Sequence, residues 1–130
     1  MIEVKNITKK YGNFEAVQDL NFTVNDGEIL GFLGPNGAGK STTMNMITGY
    51  IEPTEGNIIV EGYDISKKPK QAKKQIGYMP ENVPLYPELT VREFIQYMAD
   101  LKGVKRADKK AEIQRVMEAT GLVDVQKKLI

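Results

Sequence analysis

The sequence predicts an α/β fold, and three features of its first half carry that prediction. Residues 2–8 and 20–24 alternate apolar and polar side chains, as half-buried strands do. The run 28–33 is almost entirely apolar, which is typical of a strand covered on both faces. A glycine-rich loop then leads into an amphipathic helix that begins near Lys40 and ends near Gly49.

Composition limits the size of the protein and the chemistry available to it. With 130 residues the chain has the size of one ordinary domain. Its 18 basic and 17 acidic side chains give a net charge of +1, which argues against a dedicated nucleic-acid surface. Cysteine and histidine are both absent, so disulfides, thiolate chemistry and imidazole ligands are excluded. No secretory leader and no apolar run of about 18 residues is present, and we expect a soluble intracellular protein.

The second half continues with short elements separated by turns. Patterning predicts strands at 58–60, 63–65 and 76–79 and an exposed lysine-rich helix at 69–75. Three prolines then predict a loop before Thr90, which begins a capping-box spacing with Glu93. Behind it, one helical face carries Val91, Phe94, Ile95 and Met98, most simply as core packing. A last helix is expected at about 107–119, ending at Gly121.

The glycine-rich loop has the strongest chemical signal in the chain. Residues 34–41, Gly-Pro-Asn-Gly-Ala-Gly-Lys-Ser, fit G-x-x-x-x-G-K-[ST] in full. Glycines permit positive φ angles, so successive amides can point at phosphate oxygens. The following helix presents its unpaired amides and its positive dipole end to the same anion. Lys40 adds a full charge for the β- and γ-phosphates, and the Ser41 hydroxyl is a hard ligand for Mg²⁺.

An aromatic residue lies upstream of this phosphate-binding loop. Tyr11, in the stretch KKYGNFEAV, stands between two predicted strands. Its ring could stack on a nucleobase, an interaction of roughly 1–3 kcal/mol, or could be a half-buried tyrosine at a strand end. The residues alone leave both alternatives open.

Residues 7–65 as a whole resemble the amino-terminal half of an ABC transporter ATPase subunit. The likeness covers essentially the whole chain and rests on the aromatic before the loop, the wording GPNGAGKSTT, and P-T-x-G and G-x-D-I at close spacing. Residues 76–95 are similar to the segment that follows in these ATPases, with a wording most like subunits of exporter-type permeases. The resemblance implies the amino-terminal part of a P-loop NTPase fold. An antiparallel β subdomain and an incomplete parallel core would occupy about 1–83, and the start of a helical subdomain about 84–130.

The family's site residues carry over where this sequence matches. The resemblance implies that Tyr11 stacks on adenine and that Val17 belongs to the same nucleotide site. It assigns ATP phosphates to the loop, Mg²⁺ to Ser41, and a position near the α-phosphate to Thr42. The implied nucleotide-binding set is Tyr11, Val17, Gly34, Asn36, Gly37, Ala38, Gly39, Lys40, Ser41 and Thr42.

One position departs from the family pattern. After the predicted strand 76–79 the family usually has a glutamine that reaches Mg²⁺ and the attacking water, whereas this chain has Pro80 and Glu81. The Glu81 carboxylate still offers oxygen to a metal but adds negative charge beside the γ-phosphate. Glu81 is therefore a candidate metal ligand and, with Lys40, a candidate catalytic residue; the alternative is an exposed loop glutamate.

Several parts of the family's catalytic equipment are not found in this sequence. The L-S-G-G-Q signature, an apolar run ending in Asp-Glu and the γ-phosphate-sensing histidine are all absent. Phosphoryl transfer depends on positioning and charge stabilisation by such groups. We expect the parent protein to be an ATPase and these 130 residues alone to bind MgATP without hydrolysing it. We also expect a truncated or self-associating chain, because strands of the core would lack neighbours.

Partners follow from the same resemblance. It implies a transmembrane permease, with docking of a permease helix near residues 84–93, and a second ATPase subunit that completes an ATP sandwich. It places the protein in the cytoplasm, at the inner face of the membrane. The transported substrate and the direction of transport are not encoded in this part of the sequence.

The sequence also has features of other functions. Two lysine-rich runs, at 67–74 and 102–110, could be a nucleic-acid or acidic-lipid footprint, but no aromatics interleave them and a solvated face explains them. A non-transport ABC ATPase, acting in DNA repair or translation, is a second alternative. A GTPase would need an N-K-x-D element, which the sequence lacks; a small-molecule kinase is the remaining P-loop alternative.

Overall fold

A computed structural model describes all 130 residues, Met1–Ile130. It divides the chain into two compact units, Met1–Tyr78 and Met79–Ile130. The family resemblance implies a subdomain boundary near residues 83 and 84. As a division within a larger ATPase domain, that boundary stays a prediction.

The first unit is built on an antiparallel sheet of four strands. They are β1 (Ile2–Tyr11), β2 (Phe14–Val24), β3 (Glu55–Val60) and β4 (Tyr63–Asp64). The strand order is β2-β1-β3-β4, so β1 lies in the interior and pairs with both long neighbours. The predicted strands at the start of the chain are confirmed, and the two form a hairpin longer than the alternation indicated.

Apolar side chains from one face of this sheet form the core of the first unit. On β1, Val4 and Ile7 are buried, and on β3 Ile58 and Val60 are buried, while their neighbours in sequence are more exposed. Burial of each such side chain contributes roughly 1.5–3 kcal/mol relative to exposure. The sheet is therefore held by one apolar face, with a period of two on β3 and a register irregularity between Val4 and Ile7 on β1.

Two helices cover that apolar face. The first, α1 (Lys40–Ile47), buries Thr43, Met46 and Ile47. The second, α2 (Pro69–Lys74), buries Ala72 alone and leaves its lysines in solvent, as expected for the exposed helix. Met46, Ile47 and Ala72 belong to the same buried cluster as the sheet residues, so α1 is fixed to the sheet by its inner face. This fixes the start of α1, where the phosphate-binding loop ends.

Two predicted strands are wrong. Residues 28–33 and 76–79 have no place in the sheet, and neither pairs with another strand. The Glu28 amide donates to the Asn25 carbonyl at 3.1 Å in a turn, and the centre of the Phe32 ring lies 5.7 Å from that of Phe22 on β2. Ile29 is 97% and Leu33 92% exposed. Apolar composition favours burial, but a strand also needs a hydrogen-bonded neighbour. Self-association through this exposed apolar segment stays a prediction.

The second unit contains the remaining helices. They are α3 (Val91–Leu101) and α4 (Arg106–Ala119), followed by a 3₁₀ turn at Val123–Val125. The last residues return to the start of α3, where the amide of Val91 donates to the Lys128 carbonyl at 3.0 Å and that of Ile130 to Leu89 at 3.1 Å. Both predicted helices are confirmed to within a residue or two. No helix combines the length and apolar character needed to cross a membrane.

An apolar groove runs between the two long helices of this unit. Phe94, Ile95 and Met98 of α3 face Ile113 and Val116 of α4 along it. Ile113 and Met117 are buried, whereas the α3 side chains keep part of their surface in solvent. The predicted apolar stripe thus serves helix–helix packing. Docking of a permease helix near residues 84–93 stays a prediction.

The start of α3 offers a sharp test of local stability. The Thr90 hydroxyl accepts from the Glu93 amide at 3.3 Å and donates to the Glu93 carboxylate at 2.7 Å, while the Thr90 amide donates to the same carboxylate at 2.8 Å. This is the capping box that the sequence predicts. The bond from the Thr90 hydroxyl, and then that from its amide, holds the pKa of Glu93 below its usual range.

Thr90→Ala should destabilise the second unit by about 1 kcal/mol at neutral pH because one helix amide loses its acceptor. A carboxylate with a lowered pKa contributes stability above its unfolded-state pKa and loses it as pH falls through the folded value. The difference between wild type and Thr90→Ala should therefore shrink in acid, as measured by urea unfolding followed by circular dichroism. A difference that is unchanged from neutral to acidic pH would contradict the role of the Glu93 carboxylate.

Candidate functional site

The phosphate-binding loop, residues 34–41, joins the unpaired segment 28–33 to α1. Within it, residues 35–38 form a tight turn closed by the Ala38 amide, which donates to the Pro35 carbonyl at 3.2 Å. Gly37 and Gly39 have φ angles of 84° and 83°, a region that side chains rarely adopt. The two glycines thus bend the main chain back toward the first turn of α1.

The hairpin β1–β2 forms the floor of this loop. A Cβ atom placed on Gly39 would stand 2.3 Å from the Ala16 carbonyl oxygen and 2.9 Å from Cγ2 of Val17. The main chain of the loop therefore lies directly on β2, and no side chain fits at this position. Gly39 is required both by its φ angle and by the space available.

The first turn of α1 has no side-chain cap. The residue before it is Gly39, and no hydroxyl or carboxylate accepts from the helix amides. The amides of Gly37, Gly39, Lys40, Ser41 and Thr42 donate no hydrogen bond within the protein. Uncapped amides at a helix start, combined with the positive end of the dipole, form a site for an anion.

Lys40 lies across the loop. Its ammonium donates to the Pro35 carbonyl at 2.7 Å and also bonds to the Gly34 carbonyl. The side chain is half-buried, and its ammonium is held against the main chain of the loop. This places a cation close in sequence to the five amides that donate no hydrogen bond within the protein.

Hydroxyl groups follow Lys40 on the helix. Ser41 is exposed and Thr42 is half-buried, and the side chain of neither makes a hydrogen bond within the protein. Thr43, in contrast, is buried, and its hydroxyl donates to the Gly39 carbonyl at 2.9 Å. Ser41 and Thr42 are thus available to a ligand, whereas Thr43 fixes the end of the loop.

The hairpin that supports the loop also carries Tyr11. This residue ends β1, pairs with Phe14 across the turn and is half exposed, with the Lys9 ammonium 5.2 Å from its ring centre. Lys9 in turn is opposite Val17, which is buried under Gly39. The hairpin therefore connects Tyr11 to the floor of the loop. Base stacking by Tyr11 and a nucleotide contact by Val17 stay predictions.

Glu81 lies in the second unit, in an exposed stretch that precedes α3. Nowhere in the 130 residues do three or more aspartate, glutamate, histidine or cysteine side chains gather into a metal site. Its assignment as a metal ligand and catalytic residue stays a prediction.

Two residues of the site were not predicted from the sequence. Ala16 supplies the carbonyl on which Gly39 rests, and Thr43 supplies the hydroxyl that ties the loop to α1. The position of Thr43, one turn after Gly39, is a usable signal, because a threonine can bond back to the carbonyl four residues earlier. Nothing in the sequence marks Ala16, since its role depends on how β2 meets the loop.

The lysine-rich runs are partly neutralised within the protein. Lys67 lies 3.5 Å from the carboxylate of Asp64, and Lys109 forms an ion pair with Asp100. These contacts favour solvated, locally paired surfaces over a continuous basic patch.

Comparison with known proteins also covers the phosphate-binding loop. The sequence pattern of the ABC transporter family matches residues 17–130, which include the whole loop and α1. The probable multidrug ABC transporter ATP-binding protein YbhF of Escherichia coli is 41% identical over 125 residues, 96% of this chain and 22% of its own length. The linearmycin resistance ATP-binding protein LnrL of Bacillus subtilis is 40% identical, over 95% of this chain and 40% of its own. The bacitracin transport ATP-binding protein BcrA of Bacillus licheniformis is 40% identical over all of this chain and 42% of its own.

Solved structures agree. The ATP-binding subunit of an ABC transporter superposes with a TM-score of 0.87 at 32% identity, over 98% of this chain and 53% of its own. The dimeric ATP-binding cassette MJ0796, bound to ADP and phosphate, superposes with a TM-score of 0.80 at 24% identity, which supports the fold. The predicted P-loop NTPase fold is thereby confirmed, and the chain spans about half or less of the relatives named above. With a family pattern that covers most of its length, the chain belongs to the ABC transporter family.

Proposed function

We propose that the phosphate-binding loop holds the triphosphate of MgATP. The observation that carries this proposal is the set of five amides, from Gly37 to Thr42, that donate no bond within the protein and surround an uncapped helix start. Such amides favour a ligand with several anionic oxygens. The bare main chain at Gly39 leaves no side chain between those amides and the ligand.

Each remaining group has a role in this proposal. Lys40 would move its ammonium from the loop carbonyls to the β- and γ-phosphates, exchanging neutral acceptors for charged ones. The Ser41 hydroxyl would bind Mg²⁺, with the phosphate oxygens as its other ligands, which suits a site without an acidic cluster. Bound Mg²⁺ supplies charge neutralisation at the phosphates. Tyr11, half exposed at the end of β1, would stack on adenine.

For the parent protein we propose the ATP-binding part of an ABC transporter ATPase. It would couple ATP binding and hydrolysis to transport through a membrane permease, and it would lie at the cytoplasmic face of the membrane through that partner. A second ATPase subunit would complete the nucleotide sandwich. The drug, linearmycin and bacitracin named for the relatives belong to those proteins and do not identify a substrate here.

The 130-residue chain alone should bind MgATP and fail to hydrolyse it. It offers a cation, amides and a hydroxyl, but no signature sequence and no acidic cluster to order the metal and an attacking water. Isothermal titration calorimetry should detect MgATP binding at micromolar to millimolar concentration. MgADP should bind with a similar affinity, and adenosine should bind much more weakly. In parallel, a phosphate-release assay should stay at the level of buffer.

Two results would contradict this proposal in different ways. A folded chain that binds adenosine as tightly as MgATP would contradict recognition through phosphates. Phosphate release that disappears in Lys40→Ala would show that the chain does hydrolyse ATP, and would leave the binding assignment in place.

A further inference from the structure

The tip of the phosphate-binding loop carries the pair Asn36-Gly37. No other asparagine in the sequence is followed by glycine. Both residues are exposed, and they form the two central positions of the turn that the Ala38 amide closes. Gly37 has a φ angle of 84° and nothing within 4 Å of the position a Cβ would take. No atom from more distant parts of the chain therefore crowds the main chain at Gly37 on that side.

This arrangement suits an intramolecular reaction of the Asn36 amide. The main-chain nitrogen of Gly37 attacks Cγ of Asn36, a C–N bond forms, and the side-chain nitrogen leaves as ammonia. Water then opens the resulting succinimide at either carbonyl, giving aspartate or isoaspartate. One water is consumed, one ammonia is released, and no oxidant or reductant takes part. A following glycine offers the least hindrance to this attack because it has no side chain.

The charge around the loop favours the same reaction. The attacking nitrogen must lose its proton, and the intermediate at Cγ carries a negative oxygen. The Gly37 amide donates no hydrogen bond within the protein, so no acceptor holds that proton in place. The helix start and the Lys40 ammonium, bonded to the carbonyls of Gly34 and Pro35, supply positive potential beside Asn36. The features that attract phosphate thus also stabilise the anionic intermediate.

We propose that Asn36 is a site of spontaneous deamidation that inactivates the phosphate-binding loop, and that bound nucleotide protects it. This rests on the proposed function of the loop. The product adds a negative charge to the loop that holds the undonating amides, and the isoaspartyl form also lengthens the main chain at the turn. A bound triphosphate would engage the amide of Gly37 and hold the turn in one conformation. Nucleotide and deamidation would then oppose each other at the same residues.

The modification is tested on the whole 130-residue chain. The protein is incubated at mildly alkaline pH, with and without MgATP, and sampled for peptide mapping by mass spectrometry and for labelling by an isoaspartyl methyltransferase. Asn82, exposed and followed by Val83, and Asn57, within β3, serve as internal controls. Asn36 should react at least about tenfold faster than Asn82, because valine hinders the attacking nitrogen and glycine does not. MgATP should slow the deamidation of Asn36 several-fold and leave the deamidation rate of Asn82 unchanged. Equal rates at Asn36 and Asn82 would overturn the proposal.

The consequence for binding is measured on separated forms. Ion exchange isolates the chain that has gained one negative charge at Asn36, and its affinity for MgATP should be at least about tenfold weaker than that of the fresh chain. Asn36→Asp should show a similar loss, and Asn36→Ser should keep its own starting affinity through the same incubation. Unchanged affinity of the deamidated form would overturn the proposal. A fresh chain that binds no MgATP contradicts the function on which the proposal rests, while the mapping still reports whether Asn36 reacts.

Discussion

Replacing Lys40 with alanine should weaken MgATP binding by roughly 10- to 100-fold, since a charge-assisted bond to phosphate contributes about 1.5–3 kcal/mol. The substitution also removes the two bonds by which the ammonium holds the carbonyls of Gly34 and Pro35. Titration calorimetry with MgATP and MgADP gives the affinity, and circular dichroism shows whether the variant is folded.

Lys10→Ala is the matched control for this loss. Lys10 is exposed at the end of β1 and pairs with Glu15, so the substitution removes the same charge without touching the loop. It should leave the affinity for MgATP within about twofold of wild type, because long-range effects of exposed charges are screened. If Lys10→Ala weakens binding as much as Lys40→Ala, net charge and not the position of Lys40 governs nucleotide binding.

Replacing Gly39 with alanine should destabilise the first unit by roughly 2–5 kcal/mol and abolish detectable nucleotide binding. A left-handed φ angle costs a residue with a side chain about 1–2 kcal/mol, and overpacking adds about 1–3 kcal/mol. The added methyl group would stand 2.3 Å from the Ala16 carbonyl, so the loop must lift from β2. Denaturant unfolding followed by circular dichroism measures the cost.

Gly37→Ala separates the cost of a left-handed φ angle from the cost of steric overlap with β2. Its φ angle of 84° matches that of Gly39, but nothing lies within 4 Å of the position its Cβ would take. The free energy of unfolding of this variant should fall only by the conformational cost of the φ angle, about 1–2 kcal/mol. Equal destabilisation by the two substitutions would contradict the close contact between the loop and β2.

Local chemistry made much of the fold predictable. The start of α1 follows from Gly39-Lys40, and the start of α3 from the spacing of Thr90 and Glu93, because caps and glycine turns act within a few residues. The alternation likewise predicted β1 as a strand, although a register irregularity between Val4 and Ile7 makes its burial pattern depart from strict alternation. The loop itself was predictable because its motif is contiguous.

Contacts between distant parts of the chain were not predictable in this way. Residues 28–33 have the composition of a buried strand, but no hydrogen-bonded neighbour is present for them and Ile29 faces solvent. The floor of the loop depends on how Ala16 of β2 meets Gly39, which no spacing in the sequence encodes. Composition reports the preference of a segment, whereas pairing depends on what lies beside it.

The central claim is that main-chain amides of the loop bind the phosphates. Amide chemical shifts of the ¹⁵N-labelled chain, recorded during titration with MgATP, test it most directly. The largest shift changes should fall on the amides of Gly37, Gly39, Lys40, Ser41 and Thr42. The amide shift of Met117, in the other unit, should not change. Saturable binding that leaves those five amides unshifted, or shifts concentrated in the lysine-rich runs, would contradict the claim.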